Sequence, residues 1–169
     1  MTNSIATSDL CDAHPALLAD GSIVVLQSGL ISLGRHVSFH GSVVTLKLFE
    51  DNSLLADMVK TPGRGRVLVV DGGGSLRCAV LGGNLAVAAA SNQWAGAVIY
   101  GAVRDAGEID GCEIGVRALG LDPRRSVKRG VGEVDVPVSF LGATIRPGNW
   151  LYSDRDGVLV SRQRLDVSG

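Results

Sequence analysis

Residues 97–105 read AVIYGAVRD, a β-rich apolar run that breaks at Gly101 and is followed by two adjacent opposite charges, Arg104 and Asp105. Such a run is typical of a strand buried within an α/β sheet. Loops at the carboxyl ends of these strands carry ligand chemistry, because the sheet holds them rigidly. The pair is therefore a candidate active centre, and the alternative is a structural ion pair that follows the strand.

The segment upstream of this strand has the pattern of a helix that begins in glycine. Residues 82–96 read GGNLAVAAASNQWAG, which predicts an alanine-rich helix capped by Asn84. Glycines at a helix N-terminus leave backbone N–H groups open to an anion, which the helix dipole also favours. If these amides and Arg104 converge, they can bind a small carboxylate, while Asp105 offers an oxygen ligand to a hard cation. The pattern predicts a metal-assisted site for a 2-oxo acid.

The rest of the chain alternates short helices and strands before it becomes all β. The first predicted helix contains Pro15, which must begin or kink it. Residues 38–48 alternate apolar and polar side chains, a short helix ends near Lys60, and residues 67–71 form an apolar strand, so this part is a β-α-β unit. Beyond Gly130 only strands and turns are predicted. The fold class is therefore α/β, a single domain of layered helices and sheet with a β-rich C-terminal half.

Composition limits the classes of partner. The 169 residues suffice for one domain, and their net charge of −1 gives no overall attraction to nucleic acid. The basic residues Arg124, Arg125, Lys128 and Arg129 form a local cluster, but few aromatic residues accompany them for base stacking. No apolar run is long enough to cross a bilayer, and the first residues lack the pattern of a secretory signal. We expect a cytoplasmic protein that binds neither nucleic acid directly nor membranes.

Three other patterns compete with the candidate site. Residues 71–75, DGGGS, lack the lysine and the spacing of a phosphate-binding loop, so a tight turn is favoured. Asp154 and Asp156 lack the remaining ligands of a calcium loop, and a hairpin turn is favoured there. Glu133 opens the β-rich half at a glycine-flanked turn. Glu133 is a candidate general acid or base, or a residue that supports the side chains that bind the ligand. The alternative is a solvated turn residue.

Four segments carry a resemblance to a known family: RVLVVDGGGSLRCAVLGGN, WAGAVIYGAVRD, CEIGVRALGLDPRRSVKRGVGEVDVPV and GNWLYSDRDGVLV. They resemble the family of the regulator of ribonuclease E activity A. This family includes the class II 4-hydroxy-4-methyl-2-oxoglutarate aldolases, which double as oxaloacetate decarboxylases. The resemblance spans residues 5–165 and identifies residues 1–169 as one RraA-like domain. It implies a swivelling β/β/α-type fold and a homotrimer or dimer of trimers, with the site near a subunit boundary.

The resemblance also implies roles for single residues. Arg104 binds the carboxylate and oxo group of the substrate, Asp105 is the direct protein ligand of Mg²⁺ or Mn²⁺, and the amides of residues 82–85 complete substrate binding. The residues in question are Gly82, Gly83, Asn84 and Leu85. One position departs from the family pattern, because active aldolases carry an aspartate where this chain has Gly83. That aspartate helps to hold a water molecule on the metal, a role for which Asn84 offers only an amide oxygen.

Two functions of different class follow. The first is a divalent-metal-dependent carbon–carbon lyase that releases pyruvate from 4-hydroxy-4-methyl-2-oxoglutarate or oxaloacetate, with Arg104 and Asp105 as its catalytic residues. The departure at Gly83 puts cleavage of the hydroxy acid in question more than decarboxylation, because only the former needs a base for a hydroxyl proton. The alternative is a non-catalytic regulator that inhibits ribonuclease E and so alters RNA turnover. Dependence on metal separates the two hypotheses.

Overall fold

The structure, a computed structural model, describes residues 5–167. The helices are α1 (Thr7–Ala13), α2 (Pro15–Ala19), α3 (Ser53–Met58), α4 (Gly83–Ser91) and α5 (Ala106–Asp110). The first strands are β1 (Ile23–Val25), β2 (Ile31–Leu33), β3 (Phe39–Lys47), β4 (Val67–Asp71), β5 (Ala79–Leu81) and β6 (Gly96–Val103). They are followed by β7 (Gly115–Leu121), β8 (Glu133–Val134), β9 (Val138–Phe140), β10 (Ala143–Ile145), β11 (Trp150–Ser153) and β12 (Val158–Ser161).

Ten of the described strands form one mixed sheet, whose main path runs β1-β12-β11-β3-β4-β6-β7-β2. The centre, β3, β4, β6 and β7, is parallel, and antiparallel strands flank it on both sides. The short strand β5 pairs in parallel with the end of β6, and β8 pairs with the end of β3. Strands β9 and β10 form a separate two-stranded sheet. The predicted β-rich C-terminal half is confirmed, and beyond Gly130 the described residues form only strands and their connections.

The two faces of the parallel strands bury different layers, because successive side chains of a strand point to opposite sides. On one face, Leu68 and Ile99 join a core with Leu55 of α3, Ala86 of α4 and Ile109 of α5. On the other face, residues of the same strands pack against the β9–β10 hairpin; the members include Val69, Val98, Phe140 and Ile145. The order of layers is helix, large sheet and small sheet, which confirms the predicted α/β layering.

Local structure corrects some of the predicted boundaries. Pro15 begins α2 as its first residue and interrupts the first helix at His14, as expected for a residue without a backbone N–H. The predicted cap of α4 is wrong, since the helix begins at Gly83 and its N-cap is Gly82 rather than Asn84. The turn after Asp154 is the predicted hairpin, in which the N–H of Asp154 donates to the Gly157 carbonyl. No helix of the described residues is both long and apolar enough to span a bilayer.

A buried carboxylate anchors the loop that runs along the carboxyl edge of the sheet. Asp51 is only 3% exposed and accepts hydrogen bonds from the N–H and hydroxyl of Ser53 and from the N–H groups of Arg129 and Val131. Burial alone would raise the pKa of Asp51, but these donors together lower it to about 2. The loop before β8 is therefore fixed to the N-terminus of α3.

Replacing Asp51 by Asn should lower the free energy of unfolding by roughly 1–3 kcal/mol, because an amide nitrogen then faces backbone donors. Since the pKa of Asp51 is depressed, its stabilisation exists above its unfolded-state value near 4 and is lost as the pH falls towards 2. Urea denaturation at pH 7 and at pH 3 measures both effects. The exposed Asp57→Asn substitution on α3 is the control, and an equal loss in both variants would contradict the anchoring role.

Candidate functional site

The pairing of β5 with β6 brings two distant loops together. Leu81 at the end of β5 lies opposite Val103 at the end of β6, and the N–H of Arg104 donates to the Leu81 carbonyl over 3.0 Å. Because the strands are parallel, the glycine loop that enters α4 and the Arg-Asp loop leave the sheet at the same edge. The structure thus brings Arg104 and Asp105 together with residues 82–85, as the sequence predicted.

Asp105 connects the two loops through its side chain. Its Oδ2 accepts a hydrogen bond of 3.0 Å from the N–H of Gly83, the first residue of α4. Its own backbone is left-handed, with φ 60° and ψ 46°, and its carbonyl accepts the N–H of Ile109. A left-handed aspartate is strained by about 1 kcal/mol, and such strain persists where surrounding contacts hold it. The carboxylate therefore replaces the side-chain cap that Gly82 cannot provide, and it stays exposed at the site.

Gly82 leaves room for both charged side chains. A Cβ at this position would lie 2.9 Å from Asp105 Oδ2 and 3.4 Å from Arg104 Nε, so any larger residue would push the pair away. The Arg104 guanidinium makes a long contact, 3.5 Å, from Nη1 to the carbonyl of Pro123. A contact of this length is weak, so the guanidinium keeps its fork of donors available for a carboxylate.

Glu108 is a site residue that the sequence analysis missed. A Cβ added at Gly83 would overlap Glu108 Oε2 and would lie 2.9 Å from its Cδ, so the Glu108 carboxylate fills the space beside this glycine. Glu108 lies on α5, three residues after Asp105, which is the left-handed N-cap of that helix. Recognising residues 106–110 as a helix would have exposed this relation. Gly83 is not in the left-handed region, so its lack of a side chain serves space rather than backbone conformation.

The donor chemistry fits a hard divalent cation. The exposed carboxylates of Asp105 and Glu108 both adjoin Gly83, and Asp105 Oδ1 is not used by the bond from the Gly83 N–H. Within residues 5–167 no cluster of three or more His, Cys, Asp or Glu side chains stands ready for a metal. Mg²⁺ is commonly held by one or two carboxylates and by water or substrate oxygens, so two are adequate. Asp105 and Glu108 are the residues that would hold the ion.

The first turn of α4 supplies backbone donors next to this pair of carboxylates. The N–H groups of the first residues of a helix have no acceptor within it, and here the first intrahelical bond runs from Ala86 to the Gly82 carbonyl. Asp105 takes the Gly83 N–H, which leaves Asn84 and Leu85 to donate to a bound anion. The side chain of Asn84 is exposed.

Glu133 is not brought to the site. It lies on β8, where its Cα pairs with Lys47 of β3, and it is exposed. Strands β3 and β4 separate β8 from β6, which places Glu133 roughly 15 Å from the strand that carries Arg104 at a spacing of about 4.8 Å per strand. Within one chain Glu133 therefore lies away from Arg104, which favours the solvated turn residue, and its supporting role stays a prediction.

The predicted basic cluster is partly neutralised. Arg124 forms a two-point contact with Asp122, with Nη2 2.7 Å from Oδ2 and Nε 3.0 Å from Oδ1. The pairing with Arg124 lowers the pKa of Asp122, so both partners stay charged. Because Asp122 neutralises Arg124, the basic cluster attracts a nucleic-acid phosphate backbone less strongly.

Comparison with known proteins places this chain in a family. The RraA-like family, described as Aldolase/RraA, matches residues 7–160. The chain belongs to this family. The RraA-like fold is also seen in a Thermus thermophilis protein described as the RNA-processing inhibitor RraA, with a TM-score of 0.89, 44% identity and coverage of 95% of this chain and 94% of that one.

Two further relatives carry other names. A Cupriavidus necator protein named "Putative 4-hydroxy-4-methyl-2-oxoglutarate aldolase" is 55% identical over 94% of this chain and 96% of its own length. A Geobacillus kaustophilus HTA426 protein described as an S-adenosylmethionine:2-dimethylmenaquinone methyltransferase has a TM-score of 0.89 and 39% identity, covering 98% of this RraA-like chain and 99% of the other. These proteins share the family and the fold, while their names give three different activities.

Asp105→Ala should lower the free energy of unfolding by about 1–2 kcal/mol, because alanine loses the cap of α4 and tolerates a left-handed backbone poorly. Asp105→Asn should stay within about 0.5 kcal/mol of the wild type, since asparagine accepts the Gly83 N–H and tolerates this conformation. Thermal denaturation of the three proteins measures the difference. Equal stability of the Ala and Asn variants would refute the capping role.

Proposed function

We propose that this RraA-like protein is a divalent-metal-dependent carbon–carbon lyase that acts on small 2-oxo acids and releases pyruvate. The observation that carries the proposal is the convergence of four elements at one edge of the sheet. These elements are the Arg104 guanidinium, the amides of α4, and the carboxylates of Asp105 and Glu108. Together they supply two anion-binding groups and two hard oxygen ligands around Gly82 and Gly83. The aldolase name of the Cupriavidus necator relative agrees with this chemistry.

Substrate binding follows from the charges. The Arg104 guanidinium binds the carboxylate next to the oxo group through two parallel N–H bonds, a geometry that fixes both position and orientation. The N–H groups of Asn84 and Leu85 donate to the same anion from the positive end of the α4 dipole. Asp105 keeps the two loops together through Gly83, so these donors are in place before substrate arrives.

Bond cleavage leaves negative charge on the oxo group. Mg²⁺ or Mn²⁺ held by Asp105 and Glu108 would supply a Lewis acid that withdraws electrons towards this oxygen. Arg104 adds a fixed positive charge near the same position, which lowers the energy of the developing oxyanion. The electron pair of the broken carbon–carbon bond moves towards the oxo group, and a proton taken up at carbon completes pyruvate.

The two substrates place different demands on the residues. Decarboxylation of oxaloacetate releases CO₂ and requires no proton to be removed. Cleavage of 4-hydroxy-4-methyl-2-oxoglutarate requires a base for the hydroxyl proton, and Glu108 is the carboxylate beside Gly83 that is placed to accept it. The space in which active relatives are expected to carry an aspartate thus holds a carboxylate from α5. Gly83 therefore does not deprive the site of a base.

Asp105, Glu108 and Asn84 of the candidate site are exposed to solvent in the single chain. We propose that an oligomer covers them. Phe49, Leu76, Leu121 and Val131 lie along or beside the carboxyl edge of the sheet and are between 48% and 64% exposed. Apolar side chains exposed together at one edge mark an interaction surface. We propose that copies of this chain, assembled as a homotrimer or dimer of trimers, bury these residues and exclude water from the site. Sedimentation of the wild type against Leu121→Asp measures this assembly.

The proposed activity is tested by following pyruvate release from oxaloacetate in a coupled assay. We expect turnover with Mg²⁺ or Mn²⁺, abolition by a chelator, and a loss of at least 100-fold in kcat/KM for Asp105→Asn, corresponding to about 2.7 kcal/mol. Because that variant should keep its fold, the loss reports chemistry rather than stability. Metal-independent turnover, or an active Asp105→Asn variant, would overturn the proposal.

The role of Glu108 is tested by moving its carboxylate to the neighbouring backbone position. Glu108→Gln should lower both activities by weakening metal binding. It should reduce cleavage of 4-hydroxy-4-methyl-2-oxoglutarate at least tenfold more than decarboxylation of oxaloacetate, since only the former needs the base. Gly83→Asp alone should lower both activities, because the new side chain displaces Glu108. The double variant Gly83→Asp/Glu108→Ala should regain hydroxy-acid cleavage relative to Glu108→Ala. No recovery in the double variant would show that the base is elsewhere.

A second function rests on the Thermus thermophilis relative described as an RNA-processing inhibitor, which is 44% identical to this chain. In that hypothesis this protein binds ribonuclease E or a similar nuclease, and it does not need to contact RNA itself. Addition of purified protein to a ribonuclease E cleavage assay separates the two proposals. Inhibition that persists in Asp105→Asn and in the presence of a chelator would favour a regulator that does not depend on the metal site.

A further inference from the structure

A second region with the features of a binding site lies away from the carboxyl edge. A cavity of about 220 Å³ opens between the loop that follows β1 and the hairpin that joins β11 to β12. Its wall includes Arg117, Arg155, Asp156, Leu26 and Leu30. It shares no residue with the site built around Arg104 and Asp105, and the proposed lyase activity makes no use of it.

Arg117 is a buried cation with an unused donor. Arg117 lies on β7 opposite Val98 of β6, on the sheet face that packs against the β9–β10 hairpin. Only 6% of Arg117 is exposed. Its Nε donates to Ser153 Oγ over 3.0 Å, whereas its Nη2 is buried and has no hydrogen-bond partner. Burial lowers the pKa of Arg117, which reports the cost of keeping this charge out of water. A buried guanidinium without full pairing is expensive, and its presence requires an explanation.

The nearby carboxylate does not supply the missing partner. The negative charge of Asp154 attracts Arg117, but both Asp154 oxygens accept hydrogen bonds from other groups. Its Oδ1 accepts the Thr7 hydroxyl at 2.7 Å and the Asp156 N–H at 2.9 Å, and its Oδ2 accepts the Thr7 N–H at 2.7 Å. The Gly157 N–H adds a further bond to Oδ1 at 3.3 Å. Asp154 is thus bonded to the hairpin and to the start of α1, and Arg117 Nη2 has no hydrogen bond to it.

The remaining wall suits a small organic acid. Arg155 is exposed at the cavity and adds a second guanidinium, whereas Asp156 is the one carboxylate among the lining residues that the structure describes. Leu26, Leu30 and Val158 provide an apolar surface beside these charges. Two arginines next to apolar side chains match a carboxylate that carries a short hydrocarbon body, because the guanidinium fork binds the two oxygens and the apolar wall covers the rest.

We propose that the cavity bounded by Arg117 and Arg155 binds the carboxylate of a small organic acid at a site separate from the Arg104 centre. The carboxylate pairs with Arg155 at the mouth, and the buried positive charge of Arg117 in the cavity wall attracts it. Its hydrocarbon body contacts Leu26, Leu30 and Val158. Binding at this site neither requires a metal nor involves Asp105.

The proposal is tested by calorimetric titration of propionate at fixed ionic strength, with a chelator present, into the Arg104→Gln variant. That background removes the carboxylate site at the carboxyl edge, so a signal from the second cavity stands alone. We expect saturable binding of one propionate per chain. Arg117→Met in this background should weaken binding at least tenfold, and it should keep its fold because it removes an unpaired buried donor.

Two further variants make the result specific. Arg155→Gln changes an exposed side chain and should weaken binding about three- to tenfold without affecting the fold. Arg162→Gln is the matched control, since Arg162 lines a different cavity with Arg146, and it should leave binding unchanged. Absence of saturable binding, or equal effects of Arg155→Gln and Arg162→Gln, would overturn the proposal. Tighter binding of inorganic phosphate than of propionate would also overturn it, because it would identify a site for inorganic oxyanions.

Discussion

The parallel pairing of β5 with the end of β6 is the contact on which the candidate site depends. It places Leu81 beside Val103, so that two chain segments more than twenty residues apart leave the sheet at the same edge. Everything at the site follows from this placement: the amides of α4 face the Arg-Asp loop, and the Asp105 carboxylate reaches the Gly83 N–H. The pairing spans few residues, but it extends a parallel sheet whose core is almost completely buried. The scaffold therefore positions the loops with little freedom.

Asp105 has two roles that compete for the same oxygens. As the cap of α4, Asp105 accepts the Gly83 N–H with one oxygen. In the proposed mechanism it must also coordinate the metal through an oxygen. A carboxylate can meet both demands because it offers about four lone-pair directions on two oxygens. The left-handed backbone of Asp105 orients the side chain towards α4, and the hydrogen bond from Ile109 holds that conformation. An aspartate suits the position because its short polar side chain tolerates this region.

The sequence predicted the parts that depend on local pattern. The buried strand before Arg104, the glycine entry to α4 and the β-rich C-terminal half all follow from the spacing of apolar residues and glycines. The errors concern contacts between distant segments. Asn84 has the propensity of a cap, but the capping oxygen comes from Asp105 on another loop. The sequence could not place Glu133 either, because its distance from the site depends on β3 and β4, which lie between its strand and β6.

The relation between Gly83 and Glu108 shows why a motif compared position by position can mislead. The sequence places glycine where active relatives are expected to carry an aspartate, which suggests that a carboxylate has been lost. In the structure the Glu108 side chain enters the space that a side chain at position 83 would take, so this space holds a carboxylate despite the glycine. Glutamate has one more methylene group than aspartate. This added length lets a residue of α5 place its carboxylate beside Gly83. In the proposed mechanism the chemistry therefore depends on where the carboxylate oxygens lie, and either backbone position can carry them as long as only one side chain occupies the space.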